Sequence, residues 1–274
     1  MQFRSILALT DFSRAGNRAV ERAARLAERE DTQLALMHME ADGDSHLHHA
    51  EERLALMARR LSRRLQKPVR LVPGSHLSVD DAIRESASAD LLVVGFRTGH
   101  PVAALLQRTA IDRLPRECGC PVLVVKPEPQ TRYRRILVAV DLGPRSRNLV
   151  RLAAGFDGEP QIRLFHSVST REEAILRSAE ASTASIEAWR EEAALYAQGR
   201  MVSLTDSFKA RRNRVMTVLG RGDSARQVAV QQEHDGADLV IIGKGTRPLW
   251  AALLTGSVSS RIIRQVSSDV MLAA

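Results

Sequence analysis

Short, unbroken apolar runs alternate along the whole chain with longer stretches whose apolar residues recur at helical spacing. Runs rich in valine, isoleucine and leucine, each followed by an amphipathic segment, indicate parallel strands covered by helices on both faces. In the first half, the predicted strands lie near 4–10, 33–39, 69–72, 90–95 and 121–125, and the predicted helices near 14–30, 50–66, 78–88 and 102–116. In the second half, the predicted strands lie near 134–140, 161–167, 214–219, 238–243 and 269–273, and the predicted helices near 146–156, 171–199, 224–234 and 250–266.

The chain also repeats itself, and this repetition decides the predicted organisation. FRSILALTD at 3–11 matches YRRILVAVD at 133–141, with an apolar run ending in aspartate both times. The segment 89–125 aligns without a gap on 237–273. The protein is therefore two copies of one α/β fold.

The two copies are predicted to be separate tandem domains, 1–128 and 132–274. The prolines of KPEPQTRYR, at 126–134, cannot continue a strand or a helix and mark the linker. Each domain is expected to be a doubly wound, five-stranded parallel sheet with strand order 3-2-1-4-5. The second copy is longer between its second and fourth strands, and we expect the extra residues to lengthen its second helix, 171–199, and the loop that follows.

A binding site is predicted where the winding of each sheet reverses, at the carboxyl ends of the first and fourth strands. In the second copy these strands end at Asp141 and Gly243. Asp141 is suited to accept a hydrogen bond from a ribose hydroxyl or base amine, or to help hold a metal on a phosphate. The alternative is a loop aspartate that caps the helix starting near Ser146.

A second glycine turn, Gly256-Ser257-Val258, lies at the start of the segment after that loop. Backbone N–H groups at a helix start bind anions, and the serine hydroxyl adds a donor. Glycine lets a phosphate approach the backbone because it has no Cβ. The turn is therefore a candidate phosphate site.

The spacing of these turns resembles that of the universal stress proteins: a strand, a Gly-x-x-Gly loop, nine residues, then Gly-Ser. The resemblance covers essentially the whole chain as two tandem domains of the adenine-nucleotide α-hydrolase-like fold. It implies that the aspartate and a backbone group after the second strand hold adenosine, while the glycine loops hold ribose and phosphates of ATP, with or without Mg. The implied nucleotide-binding residues are Asp141, Val168, Gly243, Lys244, Gly245, Thr246, Gly256, Ser257 and Val258.

Both copies depart from the family pattern. Thr246 replaces the second glycine of the loop in the second copy, with Gly245 one place early. In the first copy Thr98 occupies the equivalent position. Arg108 replaces the glycine of the candidate phosphate site, which is Gly256 in the second copy. We therefore expect one nucleotide per chain, bound by the second copy, with the first copy kept for packing or partner binding.

Composition narrows the function further. The formal net charge is +8, with 40 Lys+Arg against 32 Asp+Glu, but only 4% of residues are aromatic and no DNA-binding motif is present. The dense basic run KARRNR, at 209–214, is best interpreted as a solvated loop rather than a nucleic-acid site. The apolar core of the N-terminus is too short for a signal peptide, and no run is long enough to span a membrane, so a cytoplasmic location is expected.

The remaining candidates are weaker. The segment 42–51 combines His46, His48 and His49 with acidic residues and is either a zinc site or, more simply, a solvated loop. His38 and His166 align at strand ends and are expected to pack rather than catalyse. No P-loop or nucleophile elbow is found.

These observations predict a regulatory protein that binds an adenine nucleotide and is not an enzyme. The alternatives are an interaction module that binds no nucleotide, as in the branch of the family without ATP, and a weak ATPase. The resemblance also implies that the final strands of the two copies, 121–125 and 269–274, pair to form an intramolecular pseudo-dimer. A protein partner, a homodimer or both remain open.

Overall fold

The computed structural model describes residues 3–28, 32–39, 49–74, 78–96, 113–126, 132–156, 158–206, 215–244 and 258–273. The elements of the first repeat are β1 (Ser5–Thr10), α1 (Arg14–Ala27), β2 (Gln33–His38), α2 (Ala50–Leu65), β3 (Arg70–Leu71), α3 (Val79–Ser86), β4 (Leu91–Gly95) and β5 (Val122–Val125). Residues 113–117 are also helical. The order of strands and helices is the predicted one.

The elements of the second repeat are β6 (Arg135–Ala139), α4 (Ser146–Ala154), β7 (Gln161–Val168), α5 (Arg171–Ser178), α6 (Thr183–Asp206), β8 (Met216–Arg221), α7 (Ser224–Asp235), β9 (Leu239–Gly243), α8 (Val258–Gln265) and β10 (Asp269–Ala273). The strands again follow the predicted order. Among the described residues no helix is both long and apolar enough to cross a membrane.

The chain forms two compact units. The N-terminal unit contains residues 2–131 together with 269–273. Its strands lie in the order β3-β2-β1-β4-β5-β10, and the first five are parallel, which confirms the predicted order. The final strand β10 is antiparallel to β5, with Val270 opposite Val124. The predicted pairing of these two final strands is therefore present, while the two-fold relation of the repeats stays a prediction.

The C-terminal unit contains residues 132–268. Its strands lie in the order β9-β6-β7-β8, and the three neighbouring pairs are parallel. The first strand of this repeat, β6, therefore lies between β9 and β7, so the winding reverses at the junction of β6 and β9. This is the predicted location for a ligand.

The aspartate of the Ala-Asp pair that begins each aligned segment accepts hydrogen bonds from the backbone at the amino end of the first strand of its repeat. Asp90 accepts hydrogen bonds from the backbone N–H groups of Arg4 (2.7 Å) and Ser5 (3.0 Å). Asp238 accepts the equivalent bonds from Arg134 (2.8 Å) and Arg135. Burial raises the pKa of Asp238, and the backbone donors oppose that shift. The repeated aspartate therefore stabilises the edge of the sheet opposite the candidate site.

The predicted single helix 171–199 is wrong, because the structure has two helices there, α5 and α6. The break includes Glu180, whose φ of 54° cannot continue a right-handed helix. Ser182 then accepts a hydrogen bond from the N–H of Ser185 at 3.1 Å, as N-cap residues do. The Ser-Thr pair at 182–183 is the sequence feature that could have predicted a second helix start.

Candidate functional site

The candidate site lies where β6 and β9 run side by side. Ala139 of β6 is opposite Ile242 of β9, so Asp141 and Gly243 follow at the same edge of the sheet. The hydroxyl of Ser259, in the first turn of α8, donates to the carbonyl of Gly243 at 3.4 Å. The structure thus brings together the carboxyl ends of two strands and the start of a helix. Val258, the first residue of that helix, is 44% exposed.

Asp141 is held in a tight turn. Its Oδ1 accepts hydrogen bonds from the N–H of Gly143 (2.9 Å) and the hydroxyl of Ser146 (3.1 Å). Leu142, which lies between Asp141 and Gly143 in the chain, has a φ of 61°. The N-cap of α4 is Arg145, without a side-chain cap bond, so Asp141 stabilises the loop rather than capping the helix.

The second carboxylate oxygen of Asp141 remains available. Within the described ranges no hydrogen bond to Oδ2 is formed, and the residue is exposed. An exposed, unpaired carboxylate oxygen fixed at a strand end can accept hydrogen bonds from a ligand. This geometry is compatible with the predicted role at the adenosine end.

The first repeat forms the same turn. Asp11 Oδ1 accepts a hydrogen bond from the N–H of Ser13 at 3.0 Å, and Phe12 has a φ of 57°. Gly16 stands where the second repeat has Ser146, and a Cβ at Gly16 would lie 2.5 Å from Asp11 Oδ1. The aspartate turn is therefore built into the fold, and it cannot by itself distinguish a binding copy from a non-binding one.

The glycines after the fourth strands do distinguish the two copies. A Cβ at Gly95 would lie 2.2 Å from the carbonyl oxygen of Ala15, at the start of α1. A Cβ at Gly243 would meet only Leu149 among the described residues, at 3.8 Å, which is ordinary van der Waals contact. Neither glycine has a positive φ. Gly95 is therefore required by close packing, whereas no residue that the structure describes packs closely enough to require glycine at 243.

An aromatic stack covers the carboxyl edge of the first repeat. The rings of Phe12 and His38 stack with centroids 4.8 Å apart, and the Arg53 guanidinium lies 4.2 Å from the centroid of Phe12. His38 is 8% exposed. The sequence alignment missed this stack, because it pairs Phe12 with the aliphatic Leu142. The stack lies at the carboxyl ends of β1 and β2.

His166 has the packing role expected of it. Its Nδ1 lies 2.8 Å from the carbonyl oxygen of Val140, so the ring links β7 to the end of β6. Val168 ends β7 opposite Arg221, and its carbonyl accepts a hydrogen bond from the N–H of Gly222 at 3.0 Å. Val168 is thus held at the same edge as Asp141, one strand further along.

Several predicted residues lie outside the described part of the chain. These are Gly245, Thr246, Gly256 and Ser257 of the candidate site, Thr98 and Arg108 of the first repeat, and residues 42–48 of the histidine segment. Lys244 is described and half-exposed. Within the described residues no group of three metal-ligating side chains is found, and His49 lies 3.3 Å from Glu52.

Two arginines at aligned positions of the repeats, Arg113 and Arg261, stabilise the helices through ion pairs. Arg261 of α8 forms a two-bond ion pair with Asp223, at 2.8 and 2.6 Å, and Asp223 also caps α7. Arg261 lowers the pKa of Asp223. In the first repeat Arg113 contacts both Asp80 and Glu117. These arginines hold the last helix of each repeat in place and are explained without a ligand.

Comparison with known proteins decides the family. The model of the universal stress protein family matches this chain twice, over residues 2–126 and 132–273. The chain belongs to the universal stress protein family. No curated protein of matching sequence was found.

Solved structures agree on the fold of this universal stress protein. A universal stress protein from Archaeoglobus fulgidus DSM 4304 is 16% identical with a TM-score of 0.69, and the match covers 98% of this chain and 95% of that one. A functionally unknown protein from Pseudomonas aeruginosa PAO1 is 20% identical with a TM-score of 0.68, over 98% and 92% of the two chains. At these identities the likeness concerns the fold alone.

Proposed function

We propose that the second repeat binds ATP or a related adenine nucleotide at the β6–β9 edge, and that the bound nucleotide regulates a partner-binding surface. The observation that carries the proposal is the contrast between the two aligned glycines. Gly95 packs against the backbone of α1, whereas among the described residues only Leu149, at 3.8 Å, comes near a Cβ built at Gly243, and we infer that a ligand approaches the backbone there. One nucleotide per chain is the expected stoichiometry.

Each residue of the proposed site has a defined role. Asp141 accepts from the ribose or the base through its available oxygen, and the backbone of Val168 faces the adenine end. Gly243, Lys244, Gly245 and Thr246 form the first glycine loop, and Gly256, Ser257 and Val258 supply backbone and hydroxyl donors to the phosphates. Lys244 adds a positive charge beside the phosphates. Mg on the phosphates would supply further charge neutralisation.

The second candidate function is an interaction module that binds no nucleotide. The observation that favours it is Thr246, whose Cβ narrows the approach where the family pattern has glycine. Calorimetry of the full chain with ATP, with and without Mg, separates the two candidates. Binding with a stoichiometry near one supports the proposal, whereas no measurable heat at millimolar ATP supports the module. Release of phosphate from ATP in the same samples tests the proposal that the protein is not an ATPase.

Asp141→Asn tests the adenosine end of the site. The Asn side-chain oxygen can still accept the two loop bonds from Gly143 and Ser146, so the fold should be kept. The negative charge is lost, however, and the second carboxylate oxygen becomes an N–H donor. ATP affinity should fall about tenfold, or about 1.4 kcal/mol, the scale of one charge-assisted hydrogen bond.

Asp11→Asn is the matched control, because Asp11 forms the same turn in the first repeat. It should leave ATP affinity unchanged. An equal loss of ATP affinity in both variants would show that the aspartate acts only through the stability of its turn. If both variants keep the ATP affinity of the parent, Asp141 does not contact the nucleotide.

Gly256→Arg tests the phosphate end by copying Arg108 of the first repeat into the second. The fold should tolerate the change, because the first repeat carries arginine at the aligned position. The new side chain would occupy the candidate phosphate site, so ATP affinity should fall at least tenfold, or about 1.4 kcal/mol. A variant that folds and binds ATP like the parent would make Gly256 a turn residue only.

A further inference from the structure

Three arginines surround one buried glutamate in the C-terminal unit, apart from the residues of the proposed nucleotide site. Glu173 of α5 is 5% exposed. Its Oε1 accepts a hydrogen bond from Arg177 at 3.0 Å and a second from Arg190 of α6. Its Oε2 pairs with Arg221, the last residue of β8. We refer to these four residues as the Glu173 cluster.

The charges of the cluster do not balance. Three guanidinium groups carry three positive charges, and Glu173 supplies one negative charge. In the part of the chain that the structure describes, no second carboxylate pairs with any of these arginines. Their side chains are 63%, 32% and 45% exposed for Arg177, Arg190 and Arg221, so solvent reaches the excess charge.

The cluster also contains a hydrogen-bond donor without an acceptor. The Nε of Arg190 is buried, and among the described residues it has no hydrogen-bond partner. Buried donors in folded proteins are normally satisfied by protein, water or a ligand. Because this Nε is closed off from solvent, an anion has to approach the cluster through the solvent-exposed parts of the three arginine side chains, where the excess charge lies.

We propose that Arg177, Arg190 and Arg221 bind a phosphate group, with the buried Glu173 holding the three guanidinium groups in place. Guanidinium forks match phosphate geometry, and a phosphate dianion would balance the two excess charges. Arg221 lies opposite Val168 at the carboxyl edge of β7 and β8, so the ligand can enter from that edge. The phosphate is either free or carried by a nucleotide.

The site belongs to the second repeat alone. Glu173, Arg177 and Arg190 lie on the two helices between β7 and β8, where the second repeat is 20 residues longer than the first. Arg200 of the same α6 donates to the carbonyl of Leu142 at 3.2 Å, beside Asp141. Helices α5 and α6 therefore connect the Glu173 cluster with the loop of the proposed nucleotide site. The test uses inorganic phosphate, so its outcome does not depend on ATP binding at that loop.

The test is the Tm of the full chain in inorganic phosphate and in chloride at equal ionic strength. Phosphate should raise the Tm of the parent by about 3 °C or more. Arg190→Gln and Arg221→Gln should each remove that shift. Arg226→Gln, a matched loss of an exposed arginine that takes no part in the cluster, should keep it. An equal shift in the parent and both cluster variants, or no shift in the parent, would overturn the proposal.

Two further measurements sharpen the result. Glu173→Gln keeps a side-chain oxygen that can accept hydrogen bonds from the guanidinium groups and raises the excess charge of the cluster from two to three, so phosphate should stabilise this variant more than the parent, and an unchanged shift would contradict the assignment. Calorimetry with ATP in chloride then separates the two sources of phosphate. ATP affinity retained in Arg221→Gln assigns the site to free phosphate, and affinity lost together with the phosphate shift assigns it to a phosphate of the nucleotide.

Discussion

Replacing Gly95 by alanine should destabilise the N-terminal unit by about 3 kcal/mol. The new Cβ would lie 2.2 Å from the carbonyl oxygen of Ala15 and 2.4 Å from its carbonyl carbon. Both are backbone atoms at the start of α1, so no side-chain rotation relieves the clash. The helix or the end of β4 would have to move, and the tight packing of α1 on the strands would be lost.

Gly243→Ala is the matched substitution in the second repeat, and its effect on stability should have the opposite sign. The new Cβ would make an ordinary contact with Leu149 at 3.8 Å. Because alanine restricts the unfolded chain more than glycine does, the variant should be unchanged or more stable by about 0.5 kcal/mol. ATP affinity should nevertheless fall, since the methyl group would occupy space that we assign to the ligand.

Urea unfolding followed by circular dichroism measures both free energies of unfolding, and calorimetry measures ATP binding. The expected pattern is a large stability loss for Gly95→Ala and a loss of ATP affinity without instability for Gly243→Ala. Similar stability losses in both variants would show that the two glycines serve one packing role. Tight ATP binding by Gly243→Ala would remove the main support for the proposed site.

The strands and their order could be predicted from the sequence because both depend on local pattern. Apolar runs in the strands are long and unbroken, and the repetition of the two halves identifies equivalent strands. The position of the candidate site followed from the same reasoning, since the carboxyl ends of β6 and β9 meet wherever the sheet is doubly wound. The sequence therefore predicts that Asp141 and Gly243 lie at the same edge, where the structure has them.

The difference between the two copies could not be predicted in the same way. Gly95 and Gly243 occupy aligned positions in similar sequences, but their surroundings are set by how closely the first helix of each repeat approaches the fourth strand. A Cβ at Gly95 would lie within 2.9 Å of backbone atoms of Ala15 and Gly16, whereas among the described residues a Cβ at Gly243 would meet Leu149 at 3.8 Å. The Glu173 cluster was missed for a related reason, because its arginines come from α5, α6 and β8 and meet only in the folded chain.

The final strand carries a buried ion pair that the sequence also did not reveal. Asp269 of β10 is 0% exposed, and its Oδ2 lies 3.0 Å from the Nε of Arg22 on α1, which is 3% exposed. Its Oδ1 accepts a hydrogen bond from the N–H of Lys126 at 2.9 Å. In the second repeat Leu152 aligns with Arg22, so the charged pair is specific to the N-terminal unit.

Replacing Arg22 by leucine should therefore cost about 3 kcal/mol, because it removes the buried guanidinium that pairs with the carboxylate of Asp269. The ammonium group of Lys126 offsets part of this loss, since burial lowers the pKa of Lys126 to about 8 and the group is still mostly protonated at pH 7. The double variant Arg22→Leu with Asp269→Asn should recover most of the loss. Asparagine is neutral, and its side-chain oxygen can still accept the bond from the N–H of Lys126.

Urea unfolding of the parent, the single variant and the double variant measures the effect, with Arg226→Gln as an exposed control that should change stability by less than about 0.5 kcal/mol. Recovery in the double variant is the decisive result, because leucine removes the same packing volume in both. If the double variant is as unstable as Arg22→Leu alone, the loss comes from the packing of the arginine stem. If neither variant is destabilised, the ion pair contributes nothing to the stability of the N-terminal unit, and the joining of β10 to that unit rests on its strand pairing with β5.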